Sequence, residues 1–590
     1  MDIAYDIETY PNCFILCAMA VDGSAQWEFE VSPWRNDQGN LFEWLSWVKN
    51  SQHRMVGFNN VGFDYPVLHM LWGMRAVVPH MLYERAVTII KSEGNERFAH
   101  IVRPSDVLAP QVDLFKIHHF DNVARQTSLK ALEFNMRMRN ISDLPFPPGK
   151  TLDSKECDTL RAYCSHDVKA TVEFYHKSLD AIRFREKLAQ KYEGEFLNYS
   201  DVKIGKVIFQ KTLEAAKVQT YEYGENGRQP KQSPRPLIKL ADCVPSGVHF
   251  LHPEFKRIKR YFEQQVITQT KGAFDNLKAH VDGLDYWFGT GGLHASVENE
   301  FFEADEQMMI FDMDVTSLYP SIAIENSYFP EHLGPTFVDV YRNLRAQRLQ
   351  YPKGTPENNM LKLALNGVYG ASNDKFSIFY DPLFTMQITI GGQLMLALLI
   401  ERLTAIEGLR VIQANTDGIT VHAPRSSKFL IDAVCAEWEQ QTRLSLEYAE
   451  YSKMAIADVN SYIAQKPSGE VKRKGRYEYD LEWHQNASAL VIPKVAEKVI
   501  LEGVTVMDTL LEWPDSMDFM LRVKVPRSSR LVMSENGRDT PLENTQRYYV
   551  SQTGGYLFKI MPPLAKAPDK WRRIAVESGF TVCPCNNLDN

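Results

Sequence analysis

The chain has 590 residues, 66 of them Lys or Arg and 74 Asp or Glu, for a formal charge of −8; 44% are hydrophobic and 24% charged. That length exceeds what one core holds and predicts about three to five subdomains, and the composition is that of a globular protein, which excludes disordered and collagen-like classes. No run approaches 18 apolar residues, MDIAYDIETY lacks the basic and apolar regions of a signal peptide, and the eight cysteines follow no framework, so the expectation is a reducing cytoplasm and no membrane partner.

Charge is uneven: residues 1–50 hold eight acids and two bases, whereas KPSGEVKRKGR at 466–476 holds five bases and one acid. A net negative chain can still bind nucleic acid through such a local basic track.

The first element is YDIET. Side chains alternate along a strand, so Ala4, Asp6 and Glu8 share one face while Tyr5 and Ile7 enter a core. Two carboxylates side by side are costly unless a cation bridges them. GFNNVGFDYPVL, residues 57–68, adds Asp64, and LRAYCSHDVKATVEFY at 160–175 is spaced as a helix with Tyr163 and Asp167 at i and i+4 on one face. In this order the four acids and the tyrosine resemble a 3′–5′ proofreading exonuclease domain of RNase H-like fold. The flanks agree: Asn59 with Phe63-Asp64 matches its second motif, and VDLFK at 112–116 is similar to a recurring segment. The resemblance implies that Asp6, Glu8, Asp64 and Asp167 hold two divalent ions, Mg²⁺ or Mn²⁺, which prepare a nucleophile and stabilise the leaving 3′ oxygen. It implies that Tyr163 orients the attacking water and that Asn59 and Phe63 contact the frayed primer end. Lys130 in SLKALEF either stands at the position of that domain's catalytic lysine, as a loose resemblance implies, or is a surface lysine, the reading preferred.

Residues 191–285 carry no motif and are a connecting region; GENGRQPKQSPRP at 224–236 has the composition of a loop. WFGTGGLHAS at 287–296 is glycine-rich, a plain turn by itself, and resembles the linker of family B DNA polymerases, with Gly289 where that pattern has tyrosine. In MMIFDMDVTSLYPSIAI, 308–324, a strand through Phe311, Met313 and Val315 turns Asp312 and Asp314 the other way, then breaks near Pro320. DVTSLYPSI is similar to motif A of family B DNA polymerases. It implies Asp314 and the Val315 backbone as metal ligands, Ser317 and Leu318 at the triphosphate, and Tyr319 beneath the incoming sugar, where it excludes a 2′-OH. TPENNMLKLALNGVYGASN at 355–373 opens with an N-cap Thr355 and a first-turn Pro356, and Lys362, Asn366 and Tyr369 form one helical stripe. This matches motif B, in which Lys362 and Asn366 meet the triphosphate and Tyr369 backs the templating pair. Of the arginines on the preceding helix, Arg345 is the candidate phosphate ligand.

IQANTDGITV at 412–421 is a hairpin turn by composition. It stands where motif C has two acids: Asp417 matches the second, and Asn415 replaces the first. An amide oxygen can still meet magnesium, though without charge. Asp312, on the face of Asp314, is expected to supply negative charge in its place. NSYIAQKPSGEVKRKGR at 460–476 resembles the lysine–tyrosine segment that grips the primer-template minor groove, with Tyr462 and Lys474 matching and the motif's lysine absent; Gly291 and Gly292 would also meet DNA. LEWHQNASALVIPKVAEKVILEGV, from 481, has helical periodicity.

Along the chain the resemblance implies an exonuclease domain at 1–190, palm at 286–335, fingers at 336–385, palm again at 386–465 and thumb at 466–590, so an α/β multidomain protein with a right-hand polymerase behind an exonuclease. With the first acid at residue 6, it resembles the short phage branch, which implies the cytoplasm of a bacterial host. Asp314 and Lys362 are 48 residues apart and Asn366 and Asp417 are 51, leaving little room for protein-priming insertions. The implied substrates are primer-template DNA and dNTPs, and the implied partners a helicase, primase, single-strand-binding protein or clamp. The alternatives are a 3′–5′ exonuclease with a polymerase-like DNA-binding region, and an error-tolerant polymerase with altered metal preference. Cys583-Pro584-Cys585 is read as a plain tail.

Overall fold

The alternation in the first nine residues is realised as a strand, Asp2–Tyr10 (β1), whose Ile3, Tyr5 and Ile7 enter one core while Ala4 enters another. The computed structural model describes residues 1–94, 96–225, 227–562, 569–574 and 579–588. They form a mixed α/β protein of two units.

The first unit comprises residues 1–201, 479–492 and 513–590. Its sheet joins β1 to Cys13–Ala20 (β2), Gln26–Val31 (β3), Arg54–Gly57 (β4) and Gln111–Asp113 (β5) in the order β3-β2-β1-β4-β5. β1, β2 and β3 pair antiparallel; β4 and β5 pair parallel. One face packs on the helices Gln38–Asn50, Asp64–Met74 and Pro79–Lys91 through Leu41, Leu68 and Leu82. The other packs on Ser154–Lys177, which starts from a reciprocal cap between Asp153 and Glu156 and buries Leu160, Val168 and Phe174.

Of the stretch from 481 expected to be helical, Val491–Glu502 is and residues 481–490 are not; among the described residues of 466–590 the other α-helix is Val506–Leu511. Beyond 513 the chain turns to strands, a three-stranded sheet of Leu521–Lys524, Thr545–Ser551 and Thr581–Pro584 and a four-stranded one built on Arg530–Glu535. The Cys583–Cys585 stretch is therefore an edge strand rather than a tail. Arg547, fully buried, fastens this part within the first unit. Its guanidinium donates to the carbonyls of Met138 (2.7 Å), Arg139 (2.9 Å), Cys585 (2.8 Å) and Asn586 (2.8 Å). Burying a guanidinium is costly unless its donors are matched, and this planar fork places four of its five N–H groups on carbonyls.

The second unit holds residues 202–478 and 493–512. A seven-stranded antiparallel sheet runs Leu277–Val281, Leu284–Gly289, Gly292–Ser296, Arg410–Asn415, Gly418–Pro424, Met308–Val315, Leu446–Tyr451. A smaller sheet pairs Glu300–Glu303, Lys453–Asp458, Ser461–Gln465 and Val471–Lys474. The stretch read as a loop from 224 begins inside a hairpin, Tyr221–Gly224 with Gly227–Pro230. The sequence also conceals one helix, Pro382–Leu403, that is long and apolar enough to cross a membrane by length and composition; Gln387, Gln393 and two glycines interrupt its apolar run, and 89% of its most apolar window is buried inside the protein.

Two helices, Thr336–Leu349 and Pro356–Ala371, pack side by side, and Thr355 caps the second by accepting from the Asn358 amide. Gly205, in the helix Asp201–Ala215, lets that helix touch the backbone of the second one: a Cβ there would collide with the Leu363 carbonyl. Gly205→Ala is expected to destabilise the protein by about 1–3 kcal/mol through overpacking, seen as a lowered denaturant midpoint at unchanged slope.

Candidate functional site

In the first unit β1 and the Ser154–Lys177 helix bring carboxylates together. Ligand oxygens of Asp6, Glu8 and Asp167 lie within 4.8 Å of one another. They line a cavity of about 450 Å³ with Asp64, Tyr163, Asn59 and Phe63, so the structure gathers these seven sequence-derived residues at one place. Asp64 is the first residue of its helix, where the positive end of the helix dipole favours a carboxylate. The loop before it is tied to β5: Asp113 accepts from the amides of Asn59 (2.9 Å) and Val61 (3.1 Å), and Asn59 takes a left-handed φ of 65°. Asp113 lies in the VDLFK segment; its part is to fix the loop that presents Asn59 and Phe63.

Burial, and then mutual repulsion, raises the carboxyls. Asp6 and Glu8 are pushed well up, first by desolvation and then by Asp64 for Asp6 and Asp167 for Glu8. Asp64 is raised by desolvation against its own backbone hydrogen bonds. Tyr163 is raised by desolvation and then by Asp167, which keeps it a neutral hydroxyl donor. Carboxyls so crowded fit bound divalent cations, whose charge removes the repulsion.

Lys130 is not a surface lysine. It is 7% exposed; its ammonium pairs with Asp167 and lies 3.1 Å from Glu133, whose other oxygen is 3.1 Å from His166. It also lies 4.5 Å from the centre of the Tyr163 ring. The sequence hid this because Lys130 begins a short helix, Leu129–Asn135, whose amphipathic face gives no sign of an acid 37 residues later. Lys130→Met is expected to cost about 3–5 kcal/mol, because it leaves two buried carboxylates without their cation; in a double-mutant cycle with Glu133→Gln, part of that loss should return, read as unfolding free energy.

In the second unit a cavity of about 570 Å³ is lined by Asp314, Asp417, Tyr319, Lys362, Asn366 and Tyr369, together with Val315, Ser317 and Leu318. Asp314 reaches it from a strand and Asp417 from the turn that leads into the adjacent strand, in a register that pairs Asp314 with Gly418; a Cβ on Gly418 would collide with the Asp314 carboxylate, so glycine is required there. The Val315 amide donates to the Asp417 carbonyl at 2.7 Å, and Thr416 has φ 53°. Desolvation and then Asp312 raise Asp314; desolvation raises Asp417. The Tyr319 and Tyr369 rings stack at 4.0 Å and 22°. The glycine turn approaches the same place: Tyr319 donates to the Gly291 carbonyl at 3.5 Å, and Gly292, at φ 146°, packs on Thr416.

Other expectations are not met. Arg345 does not line the cavity; it faces Glu325 at 3.8 Å, whereas Arg348 does, donating to Ser317 Oγ at 3.3 Å. Arg342, Arg345 and Arg348 step around the helix by about 60° each, so sequence spacing does not choose between them. Asn415 is not a lining residue either; its side chain accepts from Thr416 Oγ1 at 3.4 Å. Asp312, by contrast, does bring negative charge to the site, raising Asp314 and Asp417. It is buried and accepts from Thr420 Oγ1 (2.6 Å) and Tyr451 OH (3.1 Å), with Lys472 Nζ at 3.7 Å.

Lys472 was missed. Its ammonium also stands 4.0 Å from Asp314 and lowers Asp314 and Asp417. Tyr462, by contrast, is buried in a hydrophobic cluster, and Lys474, its register partner, is exposed and 3.8 Å from Glu478. Alternation places Lys472 and Lys474 on one strand face.

No family model and no curated protein matches the chain. Among solved structures, it is similar to the family B DNA polymerase from the hyperthermophilic archaeon Pyrobaculum calidifontis, at 15% identity and a TM-score of 0.42, over 89% of this chain and 68% of that one.

Proposed function

We propose that the chain is a template-directed DNA polymerase of the family B type with a 3′–5′ proofreading exonuclease. The observation that carries this reading is the second unit's cavity, where an acid from a strand and an acid from the neighbouring hairpin turn face a lysine, an asparagine and a tyrosine from one helical stripe. Its volume suits a nucleotide-sized ligand.

Asp314 and Asp417, with the Val315 carbonyl, would hold divalent metal, and Asp6, Glu8, Asp64 and Asp167 would hold it in the first unit; such ions stabilise charge on attacking and leaving oxygens. The chain's own residues supply the rest. Lys362 and Arg348 neutralise phosphate charge, and Asn366 fixes the triphosphate. The Tyr319–Tyr369 stack forms a flat floor that leaves no space for a 2′-OH. Lys472 sets a positive charge beside Asp312 and Asp314. In the first unit Tyr163, a neutral donor, orients the water, and Asn59 and Phe63 engage the terminal nucleotide. Primer-template DNA, dNTPs and Mg²⁺ or Mn²⁺ are the ligands this reading requires.

Asn415 supports a narrower version, a polymerase with altered metal preference, because the site carries one carboxylate fewer than the motif it resembles. The test is extension of a primed single-stranded template by an Asp6→Ala/Glu8→Ala variant. Extension in magnesium is expected, with Asp417→Ala lowering it by roughly a thousandfold, about 4 kcal/mol of transition-state stabilisation. Extension in manganese alone would favour the altered-metal version. Absence of extension in either metal, from protein that still binds primed DNA, would leave an exonuclease with a DNA-binding scaffold.

A further inference from the structure

We infer that Arg527, delivered by the C-terminal β-sheet segment, binds a backbone phosphate of a single nucleic-acid strand in the first unit's cavity, and that Lys524 and Arg522 continue the track along that strand. The inference rests on the exonuclease reading of this cavity.

The argument begins with charge. A strand entering the cavity brings phosphates toward Asp6, Glu8, Asp64 and Asp167. Lys130 is committed to Asp167 and Glu133 within the wall. Among the described residues that line the cavity, Arg527 is the one cation. Its side chain is exposed while lining the cavity alongside Glu8 and Tyr10.

Its placement is built. Arg527 sits in a tight turn closed by the Ser529 amide donating to the Pro526 carbonyl at 2.8 Å. Both shoulders are buried, Val525 at 2% and Ser529 at 5% exposure, and the Val525 amide is held by the Asn544 carbonyl at 2.9 Å. The turn thus offers one long cationic side chain from a fixed base. A guanidinium is the side chain suited to phosphate, since its planar donors meet two oxygens at once.

The strand leading into the turn extends the feature. Arg522 and Lys524 lie on one face of Leu521–Lys524, roughly 7 Å apart by strand geometry. Lys524 donates to Ser128 Oγ at 3.0 Å, one residue before the cavity-lining Leu129. Phe63 and Tyr83 in the opposite wall offer rings on which a base can stack. A row of cations leading to aromatic rings and a carboxylate cluster suits a single strand entering by its end.

The test uses the full-length chain and 5′-labelled single-stranded oligonucleotides. Arg527→Ala is expected to lower kcat/KM for 3′ degradation by roughly tenfold or more, the size of one charge-assisted contact, with Arg527→Lys recovering part of it. Binding to protein carrying Glu8→Gln should lose salt dependence on adding Arg527→Ala, its log–log slope shallower by about 0.7 for the one phosphate lost. One neutral methylphosphonate linkage, stepped through the last three positions, should weaken degradation by the Arg527 protein at one position and cost nothing more in Arg527→Ala. Unchanged degradation by Arg527→Ala would overturn the inference. So would a loss that leaves the salt slope and the methylphosphonate response unaltered, since that is the mark of a structural role. Failure of the underlying reading looks different: no degradation at all, or degradation that survives Asp6→Ala/Glu8→Ala.

Discussion

Each unit of this protein is organised around carboxylates held together against their own repulsion, and in each a lysine from a neighbouring element makes the arrangement tolerable. Lys130 stands between Asp167 and Glu133; Lys472 stands beside Asp312 and Asp314. Buried like charges left to themselves would take up protons, and the raised carboxyls of both clusters display that pressure. The lysines offset part of it and leave the remainder for cations the site can bind. A single lysine per cluster sets the balance: enough charge to fold the acids together, too little to satisfy them.

Geometry is set with similar economy. In the second unit, strand register places Asp314 opposite Gly418, and the absence of a side chain there makes room for the carboxylate. The left-handed Thr416 and the positive φ of Gly292 press two turns against each other, so that the Asp417 backbone is held both by its own hairpin and by the neighbouring one. In the first unit Asp113 does the comparable task, anchoring the loop amides of Asn59 and Val61.

What could be read in the sequence had a local period. Alternation fixed the shared face of Asp6 and Glu8, a four-residue step fixed that of Tyr163 and Asp167, and Thr355-Pro356 marked a helix start. What could not be read depends on partners far along the chain. Lys130 looks like any exposed lysine until Asp167 is brought to it, and Lys472 cannot be told from Lys474 without the strand register. The stretch beyond 513 gave no motif because its many short strands take their hydrogen bonds and their burial from one another. The apolar Val491–Glu502 helix nearby suggested helices for a region that is mostly sheet. Asn415 attracted attention as a missing acid, yet the side chains that set the charge there are Asp312 and Lys472, which no single-motif comparison pairs.

The first unit is assembled from three separate stretches of chain. Arg547 closes onto carbonyls at Met138 and Arg139, more than 400 residues earlier. During synthesis the amino-terminal sheet therefore emerges long before the strands that complete its neighbourhood, and at about 5–20 residues per second it waits some tens of seconds for them. Over that interval the carbonyls at Met138 and Arg139 face water instead of a guanidinium, and the strand that carries Arg547 closes on a stretch of chain made about 400 residues before it.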